Sequence, residues 1–152
     1  MAVLPIITAP DRRLKVKSTR VEVVDDDVRK LLDDMLETMH AAPGIGLSAV
    51  QVGVPKCLIT VDVTRDDEDN APLFLANPEI IEYSNEIQTF SEGCLSLPDQ
   101  FADLPRPEAI VLDYLDYDGA QRQIRADGLL SRCIQHEMDH LKGKLIIDYI
   151  AS

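Results

Sequence analysis

The chain has 152 residues, of which 45% are hydrophobic, and it carries a formal net charge of −12 at pH 7. This length predicts one domain, residues 1–152, with enough apolar side chains for a core that needs no disulfide bonds. The negative charge would repel phosphate groups, which argues against direct nucleic-acid binding and against an anionic membrane as a partner.

The chain shows no sign of export. Its first residues lack the basic region and the long apolar region of a secretory signal, and no later stretch approaches about 18 consecutive apolar residues. Three cysteines, an odd number without paired spacing, are typical of a reducing compartment. We therefore expect a cytoplasmic protein.

The N-terminal part begins with an extended arm over residues 1–24, punctuated by two prolines. From Asp25 the pattern changes, because apolar residues recur at helical spacing and three aspartates stand where a helix dipole favours negative charge. The pattern predicts an amphipathic helix that ends before Pro43. Its apolar face is expected in the core and consists of Val28, Leu31, Leu32, Met35, Leu36 and Met39.

Residues 43–55 are predicted to form a glycine-rich loop whose backbone can pass close to another group. A phosphate-binding loop is a poor interpretation, because lysine and arginine are absent and the required spacing is not met. A tight turn would explain the glycines but not the amide of Gln51 among apolar neighbours. That amide can donate to a developing oxyanion, or it can simply satisfy backbone groups.

The middle of the chain is predicted to form short strands and turns. An acidic run over 65–70 indicates a solvated loop tip, and the prolines of 98–107 indicate another loop. The Asp118-Gly119 pair between two alternating segments predicts a hairpin. The predicted strands cover residues 56–63, 73–76, 79–84, 86–91, 109–116 and 121–126.

A second helix is predicted over residues 129–141, with Asp127 as its N-cap and Gly143 as its stop. A short strand over 145–147 follows. Because strands fill the middle of the chain and helices lie towards its ends, the order of elements predicts an α+β domain. Its sheets are expected to be mostly antiparallel and to surround the second helix.

The second helix carries the sequence His136-Glu137-Met138-Asp139-His140. Residues four apart lie on one helix face, so His136 and His140 can offer two imidazole nitrogens to one metal ion, with Glu137 beside it. A catalytic zinc or similar ion takes three protein ligands and keeps one position for water. The motif therefore predicts a metal site with one further ligand.

The third ligand must come from a short set, since the chain has three cysteines and one further histidine. Cys133 lies too far along the same helix to converge with both histidines, and Cys57 lies in a strand-like apolar run, so both are expected in the core. Cys94 follows a glycine in a segment that a proline ends, where the backbone can approach another group. Cys94 is the candidate ligand, and His40 is kept as its rival.

Three segments, Gly44–Gln51, Glu92–Ser96 and His136–His140, resemble the three motifs of the peptide deformylases, in order and at similar separations. The resemblance extends from the N-terminal arm to about residue 150. It implies the metal ligands Cys94, His136 and His140, the general acid and base Glu137, and two oxyanion donors, the Gln51 side chain and the Leu95 backbone N–H.

The reaction that this resemblance implies is hydrolysis of the N-formyl group of N-formylmethionyl nascent peptides, which releases formate. The resemblance also implies that the metal is Fe2+, for which Zn2+ or Ni2+ can substitute. We expect the protein to be a monomer. The substrate contacts of the family, carried over to this chain, fall on Gly44, Ile45, Gly46, Glu92, Gly93, Leu129, Arg132 and Cys133.

The chain departs from the family pattern at three positions. Ser48 stands where alanine is usual, Arg132 replaces an aliphatic residue of the pocket, and Phe101 replaces a residue that is often basic. The Arg132 guanidinium can reach the rim of the methionine pocket or extend to solvent. Many relatives also continue into a basic C-terminal helix that resembles a ribosome anchor, so weak ribosome association is expected here.

Two other functions fit parts of the sequence. A deformylase-like protein that binds formyl peptides without turnover would keep the same motifs. A metallopeptidase of the zincin type would use the same helix with a downstream His or Glu as third ligand, but only Asp148 follows, and it follows too closely. Activity on formyl-Met-Ala-Ser would separate the enzyme from the binder.

Overall fold

The computed structural model describes residues 2–63 and 72–149, which form two α-helices and seven β-strands. This confirms the predicted α+β class. The acidic run 65–70, predicted as a loop tip, lies outside the described residues. The helices are α1, Asp26–Ala41, and α2, Gly128–Leu141. The strands are β1, Gly46–Ser48; β2, Leu58–Val61; β3, Leu73–Tyr83; β4, Ile87–Cys94; β5, Leu97–Pro107; β6, Ala109–Leu115; and β7, Gln121–Asp127.

The strands form two antiparallel sheets, and α2 contacts both. The larger sheet has the order β1-β2-β3-β6-β7, while β4 pairs with β5 in a separate two-stranded sheet. α2 contacts β1, β2, β6 and β7 of the larger sheet and β5 of the smaller one. Side chains from both sheets can therefore reach this helix, in agreement with its predicted central place.

α1 has the predicted amphipathic character. Asp25 is its N-cap, and the Asp25 carboxylate accepts a hydrogen bond from the Val28 backbone N–H at 2.9 Å. Leu32, Met35 and Met39 are fully buried and pack with residues of β1 and β2. Because each such side chain contributes about 1.5–3 kcal/mol when buried, this face fixes α1 against the edge of the larger sheet.

The N-terminal arm, over its described residues, contains no α-helix and no named strand, only a 3-10 turn at Arg12–Lys15. Its backbone links two distant segments. The Ile7 N–H donates to the Gln51 carbonyl at 2.7 Å, and the Ala9 N–H donates to the Ser96 carbonyl at 2.8 Å. The arm is thus held against the segments that carry the first two sequence motifs.

The prediction of a loop over 98–107 is wrong, because this segment belongs to strand β5. β5 pairs with β4 alone, so one of its edges needs no ladder partner. Proline lacks an N–H donor and is tolerated on such an edge strand, which is how Pro105 and Pro107 fit opposite Thr89 and Ile87. These prolines therefore lie at the edge of a sheet and do not interrupt the strand.

The central strands differ in length from the predicted ones. The predicted strands 73–76 and 79–84 form one strand, β3, with two register shifts in its pairing with β6. β2 is shorter than the predicted 56–63, and β4 extends beyond 86–91 as far as Cys94. The extension of β4 is important for function because it carries the candidate ligand.

Two short apolar segments adopt a structure that differs from the predicted one. The predicted loop 43–55 contains strand β1 and a 3-10 turn, Ala49–Val52. The predicted strand 145–147 is also wrong, because the chain forms a 3-10 turn at Ile146–Tyr149. Periodicity alone does not separate strand from helix in an apolar run this short, which explains the error at 145–147.

The predicted hairpin and second helix are both present. β6 pairs with β7 without interruption, and Gly119 in their turn has φ 84°, which glycine adopts without strain. α2 follows the predicted N-cap Asp127, but the Asp127 carboxylate makes no capping hydrogen bond and pairs with Arg125 at 2.9 Å. Within the described part of the chain, neither helix combines the length and the apolar character needed to cross a bilayer.

Candidate active site

α2 and β4 bring the three predicted metal ligands together. His136 and His140 lie one turn apart on α2, and Cys94 is the last residue of β4. The His140 Nε2 lies 3.3 Å from both the Cys94 Sγ and the His136 Nε2, and all three ligand atoms lie within 4.8 Å of one another. One sulfur and two imidazole nitrogens at this spacing form a donor set that suits zinc or ferrous iron.

The rival ligands lie elsewhere. The His40 Nε2 pairs with the Asp62 carboxylate at 2.9 Å. Cys57 packs against the apolar core, and Cys133 is buried without joining the ligand atoms. In the part of the chain that the structure describes, Cys94 completes the only group of three such side chains with the spacing of a metal site.

Glu92 fixes the orientation of His136. The Glu92 Oε1 lies 3.0 Å from the His136 Nδ1. A ring nitrogen that faces a carboxylate carries the proton, so the Nε2 of the same ring keeps its lone pair for the side of Cys94 and His140. A metal-binding histidine requires this arrangement, so the residues present fit a bound cation.

Two arginines hold Glu92. Arg106 donates from Nε to the Glu92 Oε2 at 2.6 Å and from Nη2 to the Oε1 at 2.9 Å, and Arg132 also donates to the Oε2. Although burial raises the pKa of Glu92, the hydrogen bonds from His136 and Arg106 bring this pKa down to about 2. The carboxylate is therefore ionised, the form that accepts a hydrogen bond from His136.

The charged network continues along α2. The Arg106 Nη1 donates to an Asp139 carboxylate oxygen at 3.0 Å, and the Tyr149 hydroxyl donates to the same oxygen at 2.6 Å. No sequence pattern points to Arg106 or Tyr149. Their positions depend on the pairing of β4 with β5, which places Arg106 opposite Gln88, and on the fold of the chain after α2.

Of the two predicted orientations of the Arg132 side chain, the one towards solvent is wrong. Its side chain is 10% exposed, and its guanidinium donates to Glu92 and to the backbone carbonyls of Leu104 and Gln88. The guanidinium also lies over the Phe90 ring, 5.1 Å from the ring centroid. Its charge is neutralised within the protein, even though the residue borders a cavity.

Glu137 lies beside the ligands with its carboxyl group buried. The residue is 4% exposed, and its Oε1 has no hydrogen-bond partner among the described residues. Burial raises the pKa of the Glu137 carboxyl to about 7. A Cβ at Gly46 would lie 2.7 Å from the Glu137 Oε2, so a larger residue there would displace the carboxyl group. A group that titrates near neutrality can both take and return a proton.

Gln51 is held at both ends of its amide. The Gln51 Oε1 accepts hydrogen bonds from the Ser48 backbone N–H at 3.0 Å and from the Ser48 hydroxyl at 3.1 Å. The Gln51 Nε2 donates to the Ser96 hydroxyl at 3.0 Å and lies 3.6 Å from the Cys94 Sγ. The amide nitrogen therefore faces the ligand residues, a position from which it can meet an oxyanion.

A cavity of about 780 Å3 opens beside these residues. Its mouth is apolar, because Ile45, Leu129 and Phe101 line it and are 44%, 51% and 71% exposed. Leu95 also lines the cavity, with its side chain against Gly44. The cavity is lined by all the residues predicted to contact substrate: Gly44, Ile45, Gly46, Glu92, Gly93, Leu129, Arg132 and Cys133.

Comparison with known sequences points to one family. The profile of the polypeptide deformylases matches residues 3–152. The peptide deformylase of Rhizobium meliloti (strain 1021) is 50% identical over 151 residues, which cover 99% of this chain and 87% of that protein. The match therefore extends over nearly the whole of both proteins.

Solved structures share the fold. The crystal structure of peptide deformylase from Ehrlichia chaffeensis has a TM-score of 0.94 and 46% identity, covering 98% of this chain and 88% of that chain. A probable peptide deformylase from Synechococcus phage S-SSM7 has a TM-score of 0.92 and 42% identity, covering 96% and 99%. The chain therefore belongs to the polypeptide deformylase family and is a hydrolase that removes the formyl group from the N-terminus of formylated peptides.

Proposed function

We propose how the residues of this cavity divide the steps of deformylation within a single catalytic domain, residues 1–152. The observation that carries the proposal is the meeting of Cys94, His136 and His140 with the buried Glu137 carboxyl group beside one cavity. The substrate is an N-formylmethionyl peptide, and the products are formate and a peptide with a free N-terminus.

Cys94, His136 and His140 hold one divalent metal ion in this proposal. When bound, the ion supplies Lewis-acid chemistry to the formyl carbonyl and to water. A thiolate with two imidazoles suits iron, zinc or nickel, and Fe2+ is the choice that the family resemblance favours. Metal analysis of protein purified without oxygen should find mainly iron, whereas fully active protein that contains only zinc would contradict that choice.

Glu137 acts as the general base and then as the general acid. Its carboxyl group has a pKa of about 7, and its Oε1 is unpaired among the described residues. Glu137 takes a proton from the water whose oxygen joins the formyl carbon. The C–N bond then breaks, and the leaving amine receives the proton that Glu137 held.

The Gln51 side chain and the Leu95 backbone N–H stabilise negative charge on the formyl oxygen. The Gln51 Nε2 donates to the Ser96 hydroxyl at 3.0 Å and to the Cys94 Sγ at 3.6 Å, and the formyl oxygen would take the second hydrogen from the weaker acceptor, sulfur. Leu95 directly follows Cys94 in the turn between β4 and β5 and lines the cavity. Both donors thus lie close to the candidate ligand, as this role requires.

The methionine side chain of the substrate lies in the cavity beside Ile45, Leu129 and the stem of Arg132. The Arg132 charge is paired with Glu92, so it does not oppose apolar burial. The segments Gly44–Gly46 and Glu92–Gly93 line the same cavity and supply backbone groups along which an extended peptide can bind.

Formate release from formyl-Met-Ala-Ser tests the whole proposal. The protein should hydrolyse the peptide, and Glu137→Gln should bind it with little turnover. Binding without formate release by the unaltered protein would favour the binder alternative. The metallopeptidase alternative has no support from Asp148, whose carboxylate pairs with Lys15.

We further propose that the enzyme is a cytoplasmic monomer that associates only weakly with ribosomes. The support for weak association is the net charge of −12, which ribosomal RNA repels. Sedimentation with ribosomes at low salt should leave most of the protein in the supernatant. Stoichiometric pelleting would contradict the proposal, and elution as a 16.9 kDa species would support a monomer.

A further inference from the structure

Ser48 contacts the side-chain amide of Gln51, the proposed oxyanion donor. It is the last residue of β1 and the N-cap of the 3-10 turn Ala49–Val52, with Gln51 three residues further on. The Ser48 hydroxyl donates to the Gln51 Oε1 at 3.1 Å, beside the bond from the Ser48 backbone N–H at 3.0 Å. Alanine at this position would keep the bond from the backbone N–H and lose the bond from the hydroxyl, together with the capping contact of the hydroxyl with the Gln51 backbone.

These two bonds decide which way the amide of Gln51 points. If the amide turned over, its NH2 group would face the Ser48 N–H, which is also a donor, and both would lose their acceptor. Ser48 and Ser96 are fully buried, and Gln51 is 1% exposed, so water does not replace a lost partner. The amide nitrogen therefore stays on the side of Ser96 and Cys94, where its distances are 3.0 and 3.6 Å.

The Ser48 hydroxyl also affects how strongly Gln51 donates. A hydrogen bond to the oxygen of an amide polarises the group and makes its N–H a stronger donor, and this effect is larger in a buried site. We propose that Ser48 is a positioning residue of this enzyme, which orients and polarises the Gln51 amide for the formyl oxygen. The inference rests on the proposed role of Gln51 as an oxyanion donor.

A double-mutant cycle on formyl-Met-Ala-Ser tests the proposal, with metal content matched among Ser48→Ala, Gln51→Ala and the double variant. Ser48→Ala should lower kcat by roughly 3- to 10-fold and leave KM within about twofold, because one hydrogen bond to a transition-state donor is lost. Gln51→Ala should lower kcat by roughly 10²- to 10³-fold. The double variant should match Gln51→Ala if Ser48 acts through the side chain of Gln51, as proposed.

Ser48→Cys is a second variant, which keeps most of the side-chain volume. A thiol is a weaker donor than a hydroxyl, so kcat should fall in this variant too. Ser131→Ala is the matched control, because it removes another fully buried hydroxyl that bonds an amide, that of Gln135 at 2.9 Å. Its kcat should remain unchanged.

The outcomes separate the two proposals. If Gln51→Ala keeps unaltered turnover, the proposed role of Gln51 fails, and the role of Ser48 fails with it. If Gln51→Ala is slow but Ser48→Ala and Ser48→Cys keep the unaltered kcat, only the role of Ser48 is refuted. The same refutation follows if Ser48→Ala lowers kcat equally in the presence and in the absence of Gln51.

Discussion

The two sides of the active site are held by different chemistry. On the proposed oxyanion side, Gln51 is bonded to two serines, and each hydrogen bond joins neutral groups. On the proposed metal side, His136 is bonded to the Glu92 carboxylate, which is held by Arg106 and Arg132. Both sides are buried, so protein groups make the hydrogen bonds that water makes with exposed side chains.

The difference follows from what each side must bind. A neutral amide can meet a charge that exists only during the reaction, because it brings no charge of its own that needs a partner. A histidine that binds a cation is strengthened by a carboxylate behind it, but a buried carboxylate needs cationic partners. Glu92 and Asp139 face Arg106 and Arg132, so the charges of this side balance. Loss of the Glu92 carboxylate should therefore have a larger effect than loss of the Ser48 hydroxyl.

Removal of a ligand should have the largest effect of all. Cys94→Ala, His136→Ala and His140→Ala should each lose most of the bound metal and reduce turnover to the level of the assay background, because three protein ligands are the minimum for such a site. Metal content measured by mass spectrometry checks this. Cys133→Ala is the control and should keep its metal; an empty site in that variant, with a loaded Cys94→Ala, would contradict the assignment.

Glu137→Gln should separate binding from chemistry. The amide has almost the same shape as the carboxyl group but cannot take a proton, so turnover should fall by roughly 10²- to 10⁴-fold while metal content and KM change little. Steady-state kinetics and metal analysis together check this. Turnover within a few fold of the unaltered enzyme would remove Glu137 from the mechanism.

Glu92→Gln removes a charge from the charged side without removing a metal ligand. The amide oxygen can still accept from His136, but the ionic support is lost and two buried guanidinium groups lose a carboxylate. We expect metal affinity to fall by roughly 10- to 100-fold, measured by competition with a chelator. Glu79→Gln changes an exposed carboxylate of β3 and should leave the affinity unchanged. Equal affinities in both variants would show that the charged network does not strengthen the ligand.

Arg132→Leu should have the smallest effect on function. The free energy of unfolding should fall by about 1.5–3 kcal/mol because the charged hydrogen bonds of Arg132 are lost. The loss is limited because Glu92 keeps both of its bonds to Arg106. The preference among formyl-Met, formyl-norleucine and formylated acidic residues should not change, because the charge is already paired. The exposed Arg125→Leu should lower stability by less than about 0.5 kcal/mol. Improved hydrolysis of apolar substrates by Arg132→Leu would show that the charge faces the pocket.

Local patterns predicted the elements that depend on neighbouring residues. Both helices, the hairpin around Gly119 and the spacing of His136 and His140 follow from periodicity, turn chemistry and helix geometry. The strand β5 was missed because the effect of its prolines depends on whether a second partner strand is present. That information is tertiary and is absent from the local sequence.

The same distinction applies to the site. Of the residues predicted to form it, all except His140 line one cavity, whereas Arg106 and Tyr149 had no predicted role because they reach Asp139, beside the ligand His140, from distant segments. Ser48 and Phe101 were noticed only as departures from a family pattern. The contact that makes Ser48 relevant depends on a side-chain orientation, which a residue pattern does not specify.

The N-terminal arm has a consequence for the order of folding. Its bonds from Ile7 to Gln51 and from Ala9 to Ser96, like the contact of Cys94 with His140, close loops of about 40 to 90 residues. Contacts so distant in sequence form late, because the entropy of loop closure is lost before the contacts stabilise the chain. We therefore expect the ligand set to assemble late in folding. Metal bound there stabilises the native state alone, by about 1.4 kcal/mol for each tenfold excess of free metal over its Kd.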